Sequence, residues 1–139
     1  MTSRHVLLDS NVIVDYVLKR PGFVENAKKI FKQIEAGTME GCISSSAVTD
    51  VHYIVEHKTT RDYAWKMMEY LYQTLRIVPV IRETIRGALD SGMKDFEDAV
   101  QAAAARDFGI DTVVTRDKTG FHDSGLRVYS PEEFLETLK

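Results

Sequence analysis

The sequence predicts an α/β fold: a three-layer sandwich with helices on both sides of a central, mostly parallel sheet. Short apolar runs of the kind that form buried strands recur in "HVLLD", "GCISSS", "RIVPVI" and "IDTVVTRD", and helical patterns separate them. Strands joined through helices need crossover connections, and crossovers make neighbouring strands parallel. With 139 residues and 44% hydrophobic content, the chain has the size of one compact domain with one core. Residues 1–139 are accordingly read as a single domain without a linker.

The first strand runs through Val6, Leu7 and Leu8, and a short helix follows to about Lys19, where Pro21 and Gly22 stop the pattern. In "FVENAKKIFKQIEAG", Phe23, Ala27, Ile30, Phe31 and Ile34 stand at helical spacing, with Gly37 after the last turn. A small strand around Cys42 and Ile43 leads to a helix for which Ser46 is the expected N-cap, with Val48, Val51, Tyr53 and Val55 partly buried. The next helix sets Tyr63, Trp65, Met67, Met68, Leu71, Tyr72 and Leu75 on a broad face, read as core or as a dimer surface. "RIVPVI" is a strand ending at Pro79, and "RETIRGALDSG" a short helix closed by Gly92. "DFEDAVQAAAA" opens a helix that runs to about Phe108 and stops at Gly109; on a helical wheel Ala99, Val100, Ala103 and Ala104 group with Phe96 as its core face. The strand with Val113 and Val114 follows, then a last strand and a helix with Ser130 as N-cap and Pro131 at its first position.

Charge and cysteine usage narrow the function classes. Lys and Arg total 18 against 21 Asp and Glu, a formal charge of −3, so tight non-specific nucleic-acid binding through bulk charge is not expected. A nucleic-acid enzyme stays open, because divalent cations can bridge an acidic site to phosphate. The single cysteine, Cys42, leaves no intramolecular disulfide and no cysteine-based zinc site to be expected. Neither a signal peptide nor a run near the roughly 20 apolar residues of a membrane span is present, and the expected location is the cytoplasm, with no membrane partner.

Four acids stand at the ends of elements. Asp9 closes the first strand, Asp117 lies just beyond "TVVT", Asp98 sits in the first turn of the alanine-rich helix, and Asp50 lies in the first turns of the helix after "CISSS". In an open parallel sheet, ligands collect beyond the carboxyl ends of the strands, where these positions converge. Each acid also has a structural reading: Asp9 as a helix N-cap, Asp98 paired with Asp95 in a capping arrangement, Asp117 in a turn and Asp50 solvated. Capping does not account for acids at the ends of two buried strands as well. Carboxylates that gather without cations repel one another, and a hard divalent ion, Mg²⁺ or Mn²⁺, relieves the repulsion through oxygen-only ligands. Phosphoryl transfer to water is the chemistry that such a site serves. Of the three acids in "DFED", Asp98 is read as the ligand, Asp95 as a cap or outer acid, and Glu97 as solvated.

"LLDSNVIVDY" near the start and "DAVQAAAARDFGIDTVVTRD" near the end, with a phenylalanine shortly after, resemble the PIN-domain nucleases. This family of metal-dependent ribonucleases includes many bacterial toxin subunits of toxin-antitoxin pairs. The resemblance spans nearly the whole chain in order. It implies that Asp9, Asp98 and Asp117 hold metal, with Asp50 as a further catalytic acid where the family usually has a glutamate. Because Asp50 is one methylene shorter, it would act through water or need a closer helix. Ser10 and Asn11 become polar neighbours of Asp9; Asp95, Thr115, Arg116 and Lys118 become outer or substrate-contacting groups, with Arg116, Lys118 and the "LKR" of Leu18 to Arg20 facing phosphate. The resemblance further implies an RNA substrate, a homodimer and an antitoxin partner.

The leading expectation is therefore a Mg²⁺- or Mn²⁺-dependent endoribonuclease. An aspartyl-phosphate phosphatase would also place an Asp at position 9, but that chemistry wants an acid where Asn11 stands. The third reading is a non-catalytic binding module that keeps the fold and the acids.

Overall fold

A computed structural model describes residues 4–139, and its centre is a five-stranded sheet in the order β3-β2-β1-β4-β5. The strands are β1 (Arg4–Leu8), β2 (Met39–Ser44), β3 (Arg76–Val78), β4 (Thr112–Val114) and β5 (Arg127–Tyr129), and every pairing is parallel. Between them run α1 (Ser10–Val17), α2 (Val24–Glu35), α3 (Ser45–Lys58), α4 (Arg61–Thr74), α5 (Arg82–Leu89), α6 (Phe96–Asp107) and, after β5, α7 (Pro131–Glu136). The expected α/β architecture and parallel pairing are what the chain adopts.

Alternation along β1 divides the core. Val6 and Leu8 face α1, α2, α3, α4 and α7, in a cluster that includes Ile13, Phe31, Val51 and Phe134. Leu7 faces the other way and packs with Cys42, Val78, Val113, Phe121 and the alanines of α6. The sheet is thus covered on both sides, as parallel sheets require. The chain leaves β1 for β2 on one side and later adds β4 on the other. The strand order therefore reverses at β1, and a crevice opens beyond the ends of β1 and β4.

Local chemistry explains most element boundaries. Ser130 and Glu133 form a reciprocal capping box with Pro131 at the first position of α7. Gly109 takes φ 73° just after α6, a left-handed conformation that favours glycine and stops the helix.

Several expectations give way to the packing. The N-cap of α3 is Ser44 rather than Ser46, and the two hydroxyls are hydrogen-bonded at 2.9 Å. Tyr53 is exposed, because α3 turns Ala47, Val51 and Val55 inward instead. On α4 only Ala64 and Leu71 are fully buried, while Trp65 and Tyr72 stand in solvent at 60% and 70% exposure. Phe96 is likewise exposed, whereas every residue from Ala99 to Ala105 is buried. Helix α6 is enclosed by the sheet on one side and by Ala88, Ile85 and Val80 on another, which is why its side chains are so small. A 3₁₀ turn over Thr119–Phe121 was not foreseen from the sequence, and it bears directly on the site.

Candidate functional site

Asp9 follows β1 directly and is tied to the neighbouring strand by its backbone N–H, which donates to the Val114 carbonyl at 3.0 Å. Its extended backbone makes it the N-cap of α1, with Oδ1 accepting from the Ser10 N–H at 2.8 Å. Oδ2 accepts from the Thr115 hydroxyl at 2.7 Å, and the amide of Gln101 donates to Oδ1 at 3.5 Å. The cap and the crevice thus share one carboxylate. Burial raises the Asp9 carboxyl above its ordinary value; the bonds from Thr115, Ser10 and Gln101 pull the other way, and the charge of Asp117 adds to the rise.

Thr115 couples the two strand ends. Its hydroxyl donates to Asp9 and accepts from the Asp117 N–H at 2.9 Å, so the turn after β4 is registered on the end of β1. Asp117 in turn accepts from the Gly120 N–H at 3.2 Å. That glycine sits against two carboxylates: a Cβ built on it would lie 2.5 Å from Asp98 Oδ2 and 2.8 Å from Asp117 Oδ2. Phe121, fully buried, pins the turn in the core immediately beside it.

Asp98 enters from the first turn of α6. Asp95 is the N-cap there, its carboxylate accepting from the Asp98 N–H at 2.9 Å, which leaves the Asp98 side chain free to face the crevice. Partial burial, followed by the charges of Asp9, Asp95, Asp117 and Glu97, pushes the Asp98 carboxyl up to about 7. Asp50 lies half-buried on α3, and its carboxyl meets that of Glu97. Glu97 is also raised, first by desolvation, then by Asp50, Asp95 and Asp9. Glu97 is exposed, as the sequence reading expected, and its carboxyl nonetheless lies close to that of Asp50.

The remaining expected residues fall into two groups. The Ser10 N–H bonds Asp9, and the Asn11 side chain accepts from the Arg116 N–H at 3.4 Å, so both brace the turns around Asp9. Arg116 and Lys118, expected on phosphate, are engaged elsewhere. The Arg116 guanidinium grips the buried Asp15 at 2.7 and 3.2 Å and lies 3.9 Å over the Phe23 ring, while Lys118 holds both oxygens of Glu133 at 2.9 Å. Arg20 of "LKR" also pairs with Asp15, at 3.4 Å. Arg116 and Lys118 thus fasten the loop after β4 to α1 and α7.

Sequence reasoning missed Gln101, Gly120 and the approach of Glu97 to Asp50. Gln101 stands one helical turn after Asp98 and four residues after Glu97, so its place on their face of α6 was readable as an i, i+3, i+4 pattern. Nothing in the sequence pointed to Gly120.

The donor set fits a hard divalent cation. The acids offer carboxylate oxygens alone, and among the described residues none of Asp9, Asp50, Asp95, Glu97, Asp98 or Asp117 takes part in an ion pair. Two buried polar atoms beside Asp9, Ser10 Oγ and Gln101 Oε1, also have no hydrogen-bond partner among the described residues. A bound ion and its waters would answer both features. No helix among the described residues is long and apolar enough to cross a membrane.

The sequence matches the PIN domain over residues 5–119. It is 27% identical over 141 residues to Ribonuclease VapC1 of Aquifex aeolicus (strain VF5), covering 98% of this chain and 96% of that one. Among solved structures, VapBC2 from Rickettsia felis bound to a DNA fragment from their promoter is similar at a TM-score of 0.73, with 15% identity over 91% of this chain and 98% of that one. VapC20 of Mycobacterium tuberculosis, described as a sarcin-ricin loop cleaving toxin, is similar at 0.62, with 15% identity over 78% of this chain and 86% of that one. At those identities the two structures speak for the fold.

Proposed function

The chain belongs to the PIN-domain family, and from that premise we propose that it is a Mg²⁺- or Mn²⁺-dependent endoribonuclease and the toxin of a toxin-antitoxin pair. The observation that supports this reading is the closeness of the Asp98 and Asp117 carboxylates to Gly120, with Asp9 joined to the backbone of Asp117 through the Thr115 hydroxyl. The relative named as a ribonuclease and the loop-cleaving toxin of the same fold support RNA as the substrate. The toxin-antitoxin neighbours support an antitoxin partner.

In this reading Asp9, Asp98 and Asp117 hold the ion. Asp50 and Glu97 meet each other at the crevice edge, and Glu97 supplies the reach that Asp50 lacks. A bound divalent ion supplies Lewis acidity, lowering the pKa of water and neutralising phosphate charge. The chain's own part is positioning. Thr115 orients Asp9 and fixes Asp117 relative to it; Asp95 caps α6 so that Asp98 points outward; Ser10 and Asn11 hold the turns on either side. Arg116 and Lys118 act through the loop they anchor rather than by touching phosphate. Asn11, where phosphatase chemistry needs an acid, is occupied in bracing Arg116, which leaves that alternative without support.

The proposal extends to a cytoplasmic homodimer. A cavity of about 210 Å³ lined by Ile43, Val48, Val51, Met68, Leu71, Tyr72 and Ile77 opens beside the edge strand β3, and its apolar lining suits a second copy. Light scattering on the purified chain tests this, a monomeric mass being the contrary result. For the activity, structured RNA is incubated with and without Mn²⁺. Cleavage that requires the ion and is lost in a folded Asp9→Asn variant is the expected result; undiminished cleavage by that variant would contradict the assignment.

A further inference from the structure

Counting a single cysteine leaves no cysteine-based zinc site to be expected, but the register of the sheet gives Cys42 partners that a count cannot reveal. His5 stands directly opposite Glu40 in the pairing of β1 with β2, and Cys42 lies two residues beyond Glu40 on the same face. A ring nitrogen of His5, a carboxylate oxygen of Glu40 and the Cys42 sulfur all lie within 4.8 Å of one another. His5 and Glu40 lie toward the amino-terminal ends of β1 and β2, and Cys42 is paired with Leu7, two residues before Asp9, on the face of the sheet that α6 covers.

We propose that His5, Glu40 and Cys42 form a binding site for Zn²⁺ or a chemically similar borderline divalent ion, separate from the carboxylate cluster. Thiolate, imidazole and carboxylate together are the donors that zinc takes and that Mg²⁺ and Mn²⁺ do not prefer. Tetrahedral zinc at its usual bond lengths sets ligand atoms about 3.5 Å apart, so donors already this close need only small side-chain rotations. His5 Nδ1 and Glu40 Oε1 are at 3.4 Å without any adjustment. Three protein donors leave the fourth position to water, and the partly exposed side chains of His5 (41%) and Glu40 (35%) give the ion its way in.

Cys42 is fully buried, its sulfur makes a weak contact to the Glu40 carbonyl at 4.0 Å, and burial with the charge of Glu40 pushes its thiol up to about 11, so an ion must displace the thiol proton to bind there. A thiolate and a carboxylate offset the two charges of the ion. Arg76, paired with Cys42 in the β2–β3 register, donates to Glu40 Oε1 at 3.1 Å. An outer donor of this kind orients a ligating carboxylate. The competing description is a metal-free ion pair of Arg76 and Glu40 with His5 alongside, and it predicts no role for the sulfur.

Cobalt separates the two. Since Cys42 is the chain's one cysteine, a sulfur-to-cobalt charge-transfer band in the near ultraviolet can arise only there, whatever ion the carboxylates hold. The metal-free full chain is titrated with Co²⁺ and then Zn²⁺ against a chromogenic chelator. Expected are one such band, its displacement by one equivalent of Zn²⁺, and at least a tenfold loss of Zn²⁺ affinity in His5→Ala. Loss of the band in Cys42→Ser is expected as well; should that buried substitution unfold the chain, His5→Ala at its partly exposed position decides. Absence of the band in the unaltered protein, or an unchanged Zn²⁺ affinity in His5→Ala, overturns the proposal and leaves the nuclease reading untouched.

Discussion

Gly120→Ala adds a single methyl group, and the structure says where it goes. The new Cβ would stand 2.5 Å from Asp98 Oδ2 and 2.8 Å from Asp117 Oδ2, whereas ordinary contact begins near 3.4 Å. The carboxylates must therefore separate from the turn by about 0.9 and 0.6 Å, or the turn must lift by a similar distance. Magnesium–oxygen bonds are about 2.0–2.1 Å with little tolerance, so a shift of this size spoils the ligand geometry. A misplacement of about 1 Å costs on the order of 10²-fold in rate, equivalent to about 2.7 kcal/mol of transition-state stabilisation. Stability should hardly change, because replacing glycine with alanine also reduces the freedom of the unfolded chain, an effect of about 0.4–1 kcal/mol. Single-turnover RNA cleavage at saturating Mn²⁺, calorimetric Mn²⁺ affinity and a thermal melt are measured side by side. A folded Gly120→Ala protein that binds Mn²⁺ and cleaves at the unaltered rate would refute the placement of the ion between Asp98 and Asp117.

Three further outcomes follow from the same geometry. Thr115→Val removes the hydroxyl that bridges Asp9 and Asp117 while keeping shape, and should cost roughly 10–100-fold in metal affinity or activity, checked by calorimetry and cleavage together. The carboxyls of Asp9, Glu97 and Asp98 are all raised, Asp98 to about 7, so the folded metal-free chain holds more protons than the unfolded one between about pH 4 and 7. Stability without metal should therefore fall as pH rises through that window, and Asp98→Asn should flatten the dependence in a series of thermal melts. Phe121→Ala empties the core beside the 3₁₀ turn and should lower stability by about 3–5 kcal/mol in urea titration, a far larger loss than Gly120→Ala.

The strand ends were the readable part of the site. An apolar run that stops at an acid, as "HVLLD" does, reports both burial and polarity in five letters, and the parallel sheet then brings Asp9 and Thr115 together without further instruction. The boundaries of α6 and α7 were legible for a similar reason, since Gly109 and the Ser130 cap act through local chemistry. What escaped was whatever depends on a third body. A helical wheel assumes one buried face, yet α6 is enclosed almost all round, so Phe96 was drawn inward and Gln101 went unremarked. Trp65 and Tyr72 look like core residues by composition, but Ala64 and Leu71 already fill the narrow contact between α4 and its neighbours. Glu97 meets Asp50 only because α3 passes the start of α6. Arg116 and Lys118 read as free cations until Asp15 and Glu133, distant in sequence, take them up.

Calorimetric titration of the metal-free protein with Mn²⁺, repeated on Asp98→Asn, puts the central claim to its most direct test. The variant keeps the N-terminal turn of α6, since the capping bond from Asp95 engages the backbone at position 98 and not its side chain. Binding by the unaltered chain that strengthens as pH rises through about 7, and a loss of at least roughly tenfold in affinity in Asp98→Asn, is the result expected of carboxylates gathered to hold an ion. Equal Mn²⁺ affinity in the two proteins, with both folded, would contradict it.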